Sequence, residues 1–341
     1  MEILVTGGNG FVGHHVVRAL LDRGDRVRIL ALPDEDVHEL HERGVTVHRG
    51  DICRQETLRK PMEGAEAVLH LAAMMHVWRP LGDYLAVNVT GTKNVCEAAL
   101  ATGIRRFVHM SSSSVYGMAW GLPVDEGFEL SPFRDPYPVS KAMSDKMVQR
   151  MIAEEGLPAV IIRPDQIFGP SDRLHFGETA DRLHAGRGII VGRGDNLLPL
   201  IYVDDAVQGL LLALDHRRAV GQAFNITNDQ PLTQLEFLQA IAHEIDARPH
   251  WLHIPYRGLY LAAYAAERLA SAKGGWRRPP ITRLGVAFLG SDVRYSNGKA
   301  RRQLGYAPQV PLRDGVRLAA SWYRQDLPNN RQSRRDHLAA Q

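Results

Sequence analysis

Apolar runs of strand length alternate with helix-spaced apolar positions from residue 3 to about residue 165. The alternation predicts strands at 3–6, 26–30, 45–48, 67–71, 107–110 and 159–163. It also predicts helices over 12–22, 81–102 and 138–155. Runs such as Ala159-Val160-Ile161-Ile162 suit strands buried on both faces. Strand alternating with helix implies an α/β fold with a parallel sheet covered on both sides, and ligands at the carboxyl ends of its strands. Beyond residue 165 the pattern loosens. Residues 186–195 are glycine-rich and basic, and further elements are expected at 203–214, 223–226, 233–245 and 256–272. The chain therefore divides into a core over 1–165 and a smaller α/β lobe over 166–325 that returns some elements to the core. The polar run 326–341, with Arg331, Arg334 and Arg335, is expected to be a disordered tail.

The first strand leads into Thr6-Gly7-Gly8-Asn9-Gly10-Phe11-Val12-Gly13, which opens a helix. Gly7 permits a tight turn, Gly10 lets backbone amides approach a pyrophosphate, and Gly13 lets helix and strand pack closely. Helix N-terminal amides complete a phosphate site. Strand before and helix after are the context that gives such a motif weight. The expected fold is thus a Rossmann-type doubly wound sheet holding a nicotinamide dinucleotide.

The end of the second strand usually selects between NAD and NADP through an acid or a basic residue. Here Ala31-Leu32-Pro33 carries neither, and Asp34-Glu35-Asp36 follows. These acids would repel a 2′-phosphate, which favours NAD over NADP; they also suit the first turn of a helix. Asp51, with Ile52 beside it, follows the third strand and can meet an adenine amino group or simply form a turn. Leu71, Ala72 and Ala73 end the fourth strand, small enough to admit a cofactor and equally suited to core packing.

Tyr137 and Lys141 stand four residues apart, on one face of a helix whose first turn holds Pro138. A phenol titrates near ~10, and a neighbouring ammonium is expected to lower that value so that Tyr137 exchanges a proton with a carbonyl oxygen. Ser111-Ser112-Ser113-Ser114 follows the fifth strand, where a hydroxyl can polarise a substrate oxygen; Ser112 is the first choice, with Ser113 and Ser114 beside the substrate.

Length and composition change little. The 341 residues are 45% hydrophobic and 23% charged, ordinary for a globular enzyme. A net charge of +3 gives no footprint for nucleic acid. No run of apolar residues is long enough to span a membrane. Two cysteines suggest neither disulfides nor a metal site, and the histidines lack metal-like spacing. A strand starting at the second residue leaves no room for a leader, so a cytoplasmic location is expected.

Taken in order, the glycine turn, the serine cluster and Tyr137-Pro138-Val139-Ser140-Lys141 resemble the extended short-chain dehydrogenase/reductase superfamily. The likeness extends through Asn88-Val89-Thr90-Gly91-Thr92, Arg163-Pro164, Gly169-Pro170 and Tyr202-Val203-Asp204-Asp205 to about residue 325. It implies Ser112, Tyr137 and Lys141 as the catalytic trio. It also implies a cofactor lined by Gly7, Gly10, Phe11, Val12, Asp51, Ile52, Leu71, Ala72, Ala73, Tyr137, Lys141, Pro164 and Ile167, and a homodimer. Ser113 and Ser114 stand where sugar-nucleotide dehydratases usually carry an acidic pair, which argues against dehydration. Gln166 replaces the asparagine usual in sugar-nucleotide epimerases. Pro279-Pro280-Ile281-Thr282-Arg283 and Leu304-Gly305-Tyr306 are similar to the 3β-hydroxysteroid dehydrogenase branch. That branch implies an apolar or polycyclic ketone or alcohol, with Gln166 near it. The helical stretch 258–269 can wall such a pocket, touch a membrane surface or serve as a core helix. The competing functions are a nucleotide-sugar epimerase with retained NAD and a non-catalytic dinucleotide sensor.

Overall fold

The computed structural model describes residues 1–118, 121, 123–272 and 278–339, with side chains up to residue 326. Its centre is a sheet of seven parallel strands. In spatial order they are Ala223–Ile226, Ala159–Pro164, Arg106–Met110, Ala67–His70, Glu2–Thr6, Arg26–Ala31 and Thr46–Arg49. All six strands expected before residue 165 form within a residue or two of their expected bounds. The seventh comes from the element expected at 223–226, so the sheet does not end at the core boundary read from the sequence. Strand order reverses at Glu2–Thr6, which pairs with Arg26–Ala31 on one side and Ala67–His70 on the other. The crevice at that reversal is where an open α/β sheet takes its ligand.

Alternate residues enter opposite layers, as a strand's period of two requires. Ile3, Val5, Ile29, Val108 and Ile162 join one core, which also includes apolar residues of the helices Phe11–Asp22 and Val203–Asp215. Leu4, Leu30, Val68, Phe107 and Ile161 join the other, with residues of Thr92–Ala101 and Pro136–Glu155. Every central position is covered, hence the unbroken apolar runs in the sequence.

The helix expected over 81–102 is Leu81–Leu85 and Thr92–Ala101 joined by a widened π-type turn, Ala86–Gly91. Such a turn aims a side chain that regular spacing would not. Asn88 sits in it: its amide accepts from the Met74 backbone N–H at 2.7 Å and donates to the Met74 carbonyl at 3.0 Å and to Ser140 Oγ at 2.9 Å. One side chain thereby ties the loop after the fourth strand to the helix carrying Tyr137 and Lys141.

In the second half Arg187–Val191 pairs with His250–Ile254, and Gln166–Phe168 with Leu200–Tyr202, all parallel. The helix Tyr256–Ala272 buries only the stripe Leu259, Ala263 and Glu267, leaving Leu261 67% and Leu269 62% exposed. No helix among the described residues is long and apolar enough to cross a membrane. The expected irregular tail from 326 differs from the structure, where the helix Leu312–Ala339 runs through it. A turn already packed through Val316, Ala320 and Tyr323 supplies the costly nucleus, and extension from it is cheap even for a polar run.

Candidate active site

Three segments meet at the carboxyl end of the sheet. The first is the glycine turn. Gly7 takes φ +71°, and a Cβ on it would lie 2.8 Å from the Ala72 backbone nitrogen. A Cβ on Gly13 would lie 2.0 Å from the Gly7 carbonyl oxygen, so glycine is obligatory there. The helix Phe11–Asp22 starts at Gly10 with no capping side chain and no acid in its first turn. Its first amides are therefore free for an anion, and the bare glycine cradle fits a dinucleotide pyrophosphate. Leu71 is buried and Ala72 and Ala73 half-buried directly across from the turn.

Asp51 is half-buried and its carboxylate accepts from the Cys53 N–H at 2.8 Å, so the turn role is real. Ile52 is buried against Gly91. Glu35 folds back onto the end of the second strand, where its carboxylate accepts from the Leu32 N–H at 3.0 Å. Arg49 braces this loop by donating to the carbonyls of Leu32 and Glu35 at 2.8 and 2.7 Å. Sequence spacing gave no hint that Glu35 returns to that position.

The second segment is the serine cluster. Ser112 Oγ lies 2.9 Å from Ser114 Oγ and accepts from the Ser114 N–H at 3.2 Å. Ser113, expected beside the substrate, is buried. It turns toward Asp165 and Tyr295, because the short helical turn Ser113–Tyr116 rotates it inward. Burial pushes the Asp165 carboxyl up to about 7, against hydrogen bonds from Thr227 and Ser113.

The third segment is the helix Pro136–Glu155. Asp135 caps it, accepting from the Tyr137 N–H at 3.1 Å, and both prolines fall where no N–H is needed. Burial raises the Tyr137 phenol, and a hydrogen bond from Ser112 pulls the other way. The expected lowering by Lys141 is not found: its ammonium instead donates to the Met110 carbonyl at 2.7 Å. Burial brings Lys141 down to about 8, against the pull of Asp145. Pro164 and Ile167 follow on the neighbouring strand ends, and half-buried Gln166 is held by its backbone N–H to the Pro199 carbonyl at 3.0 Å.

Beneath the trio lies a buried network that sequence reading missed. Arg163 pairs with Asp145 through two contacts of 2.8 Å and donates to the Tyr116 hydroxyl at 2.7 Å. Ser111 donates to Asp145 at 2.6 Å, and Tyr116 donates to Asn225 at 2.8 Å. Burial works to raise Asp145, but Arg163 and its hydrogen bonds hold the carboxyl below its ordinary value. The network locks the fifth, sixth and seventh sheet segments to the catalytic helix.

A cavity of about 540 Å³ is walled by Tyr116, Met118, Phe133 and Tyr260 and edged by Arg134 and Arg283; no residue of the trio lines it, but Tyr116 closes the turn that Ser112 starts, and Phe133 and Arg134 precede the helix of Tyr137. A larger groove of about 950 Å³ is lined by Glu56, Arg59, Glu63 and Glu97, from segments that carry none of the trio. Among the described residues no cluster of histidine, cysteine and carboxylate side chains could hold a metal ion.

A doubly wound sheet with a phosphate-binding turn and a Ser–Tyr–Lys trio defines a class of dinucleotide-dependent oxidoreductases. Residues 3–227 match the NAD dependent epimerase/dehydratase family, and the chain belongs to that family. It is 34% identical to 2-alkyl-3-oxoalkanoate reductase of Stenotrophomonas maltophilia, over 93% of this chain and 98% of that protein. It is 31% identical to a 3-beta-hydroxysteroid dehydrogenase of Mycolicibacterium neoaurum, over 94% of this chain and 91% of the relative. Among solved structures, DesIV, a dTDP-glucose 4,6-dehydratase of Streptomyces venezuelae with NAD bound, superposes with a TM-score of 0.77. It is 26% identical, covering 96% of this chain and 98% of its own. The chain is an NAD(P)-dependent oxidoreductase whose relatives include reductases and 3-beta-hydroxysteroid dehydrogenases.

Proposed function

We propose that this enzyme interconverts an apolar or polycyclic ketone and its alcohol, with NAD as the preferred dinucleotide. When bound, the nicotinamide supplies or accepts the hydride at the carbon bearing the reacting oxygen. The residues to hold it are Gly7, Gly10, Phe11 and Val12 at the phosphates, Asp51 and Ile52 at the adenosine end, and Leu71, Ala72, Ala73, Lys141, Pro164 and Ile167 along the remainder. Glu35, folded over the end of the second strand, opposes a 2′-phosphate and supports NAD.

The observation that carries the reading is the hydrogen bond between Ser112 and Tyr137, with Lys141 one helical turn on and an aromatic-walled cavity formed by the segments that flank them. Ser112 holds the substrate oxygen with Tyr137. In reduction the Tyr137 hydroxyl gives its proton to that oxygen, and in oxidation it takes the proton back. The high phenol pKa keeps Tyr137 protonated and ready as the acid. Lys141, balanced near neutrality, supplies positive charge when the phenolate forms. Met118, Phe133 and Tyr260 give an apolar ketone its surface. The relatives named for a 3-oxoalkanoate and a 3β-hydroxysteroid favour net oxidoreduction over the epimerase alternative.

The test is stoichiometric. Purified enzyme with NADH and a panel of apolar ketones should consume one NADH per alcohol formed, and Tyr137→Phe should lower kcat/KM by about 10³-fold. Full turnover in Tyr137→Phe, or isomerisation of a nucleotide sugar without net NADH change, would overturn the reading.

A further inference from the structure

Ser112 stands between two serines that each rest on a buried carboxyl. Ser111 donates to Asp145 at 2.6 Å, and Ser113 turns to Asp165. The two carboxyls sit in opposite surroundings. Arg163 meets Asp145 through two contacts of 2.8 Å and holds its carboxyl below the ordinary value. Asp165, 4% exposed, has no cation beside it among the described residues. Four elements pack around it, and the groups they bring near are hydroxyls. Ser113 comes from the turn Ser113–Tyr116, and Thr227 follows the strand Ala223–Ile226. Tyr295 ends the strand Arg294–Tyr295, and Tyr306 follows the helix Gly298–Leu304. Burial raises both phenols, so each stays protonated.

An uncharged carboxyl suits this shell: its O–H donates while its other oxygen accepts from Thr227. A carboxylate has no proton to give and no positive charge to face, so it must draw in water or new donors. The backbone of Asp165 is itself fixed, its N–H donating to the Ile226 carbonyl at 3.1 Å. Ser113 is the part free to respond, and it is bonded directly to Ser112. The next residue matters too: Ser112 Oγ accepts from the Ser114 N–H at 3.2 Å and lies 2.9 Å from Ser114 Oγ. A shift of Ser113 therefore moves the Ser112 hydroxyl and the partners that aim it.

We propose that Asp165 is a positioning residue: through Ser113 it sets the turn that aims Ser112 at the reacting oxygen, and loss of its proton releases that turn. The proposal rests on the ketone-reducing reading of the site. Its consequence is that reduction is fastest below the Asp165 value of about 7 and declines as pH rises through it. This step is separate from the one at Lys141, which burial brings down to about 8.

The experiment is a pair of pH profiles of kcat for ketone reduction at saturating NADH. Between pH 6 and pH 8 the protonated share of a group titrating near 7 falls about tenfold, and wild-type kcat should fall with it. Asp165→Asn cannot ionise, yet keeps a donor for Ser113 and an acceptor for Thr227. It should stay within about threefold of the wild type at pH 6 and lose less than about threefold by pH 8, with KM little changed. Ser113→Ala cuts the link and should flatten the same step from a lower starting rate. Hydrogen exchange of residues 111–117, read by mass spectrometry and corrected for the intrinsic effect of pH, follows the turn without turnover. Protection should drop by at least about threefold from pH 6 to pH 8 in the wild type and hold level in Asp165→Asn. That result with no ketone reduced would sink the reaction and leave the positioning role standing. A merely structural Asp165 would shift the melting temperature and leave the two kcat profiles parallel. Parallel profiles, or wild-type protection equal at both pH values, would overturn the proposal.

Discussion

The two ends of the crevice are built by different means. At the glycine turn, backbone does the work: Gly7, Gly10 and Gly13 clear space, and the first amides of Phe11–Asp22 point outward uncapped. At the other end the proposed substrate site is made of side chains from distant segments: Ser112, Phe133, Tyr137 and Tyr260. Backbone recognition needs residues in fixed local order, so it reads as a motif. Side-chain recognition needs only that the fold bring residues together, and it leaves no local pattern. The first kind defines a class of cofactor, and the second defines a substrate.

The sharpest way to break the backbone half is Gly13→Ala. Its Cβ would enter 2.0 Å from the Gly7 carbonyl oxygen and 2.7 Å from Gly8 atoms, backbone that cannot rotate away. We expect NADH binding weakened by at least about tenfold, read by fluorescence titration, with loss of thermal stability. Binding at wild-type strength would show that the turn is not packed as described.

This contrast explains what the sequence disclosed. The six core strands, the glycine turn, the capped helix at Tyr137 and the element at 223–226 follow from local periodicity and turn chemistry. Asn88 was visible only as a residue of a matching segment, because its reach to Met74 and Ser140 depends on a π-type turn. The direction of Ser113, toward Asp165 and Tyr295, was not legible because a short helical turn, not an extended loop, sets it. Glu35 reaches Leu32 through a loop return that no spacing rule encodes.

Removing one partner beneath the substrate half should cost nearly as much. Arg163→Met leaves Asp145 buried, charged and short of its two 2.8 Å contacts. Denaturant unfolding should show a loss of about 3–5 kcal/mol. A loss below 1 kcal/mol would show that the pair is not desolvated as placed.

Asp165 gives a smaller, pH-dependent effect. Its folded value of about 7 exceeds the ordinary 3.8, so the native state binds more protons than the unfolded state between these values. Its contribution is therefore fully favourable below about pH 4 and is lost as pH rises toward 7. Asp165→Asn keeps a partner for Thr227 without the charge. It should be more stable than the wild type at pH 8 and close to it at pH 4, by melting temperature. A difference that does not grow with pH would contradict the shift.

The mildest change probes the cofactor. Glu35→Lys places a cation where a carboxylate now accepts from Leu32, and should move the NADPH-to-NADH ratio of kcat/KM upward by about tenfold. A wild type that already prefers NADPH would refute the NAD preference.

The central claim is net hydride transfer to a ketone held by Ser112 and Tyr137. Incubating the enzyme with NADH deuterated at the transferring position and a long-chain ketone, then analysing the product by mass spectrometry, tests it most directly. One deuterium on the new carbinol carbon, with one NADH consumed per alcohol, is the predicted result. Product without deuterium, or substrate isomerised with no net loss of NADH, would contradict it.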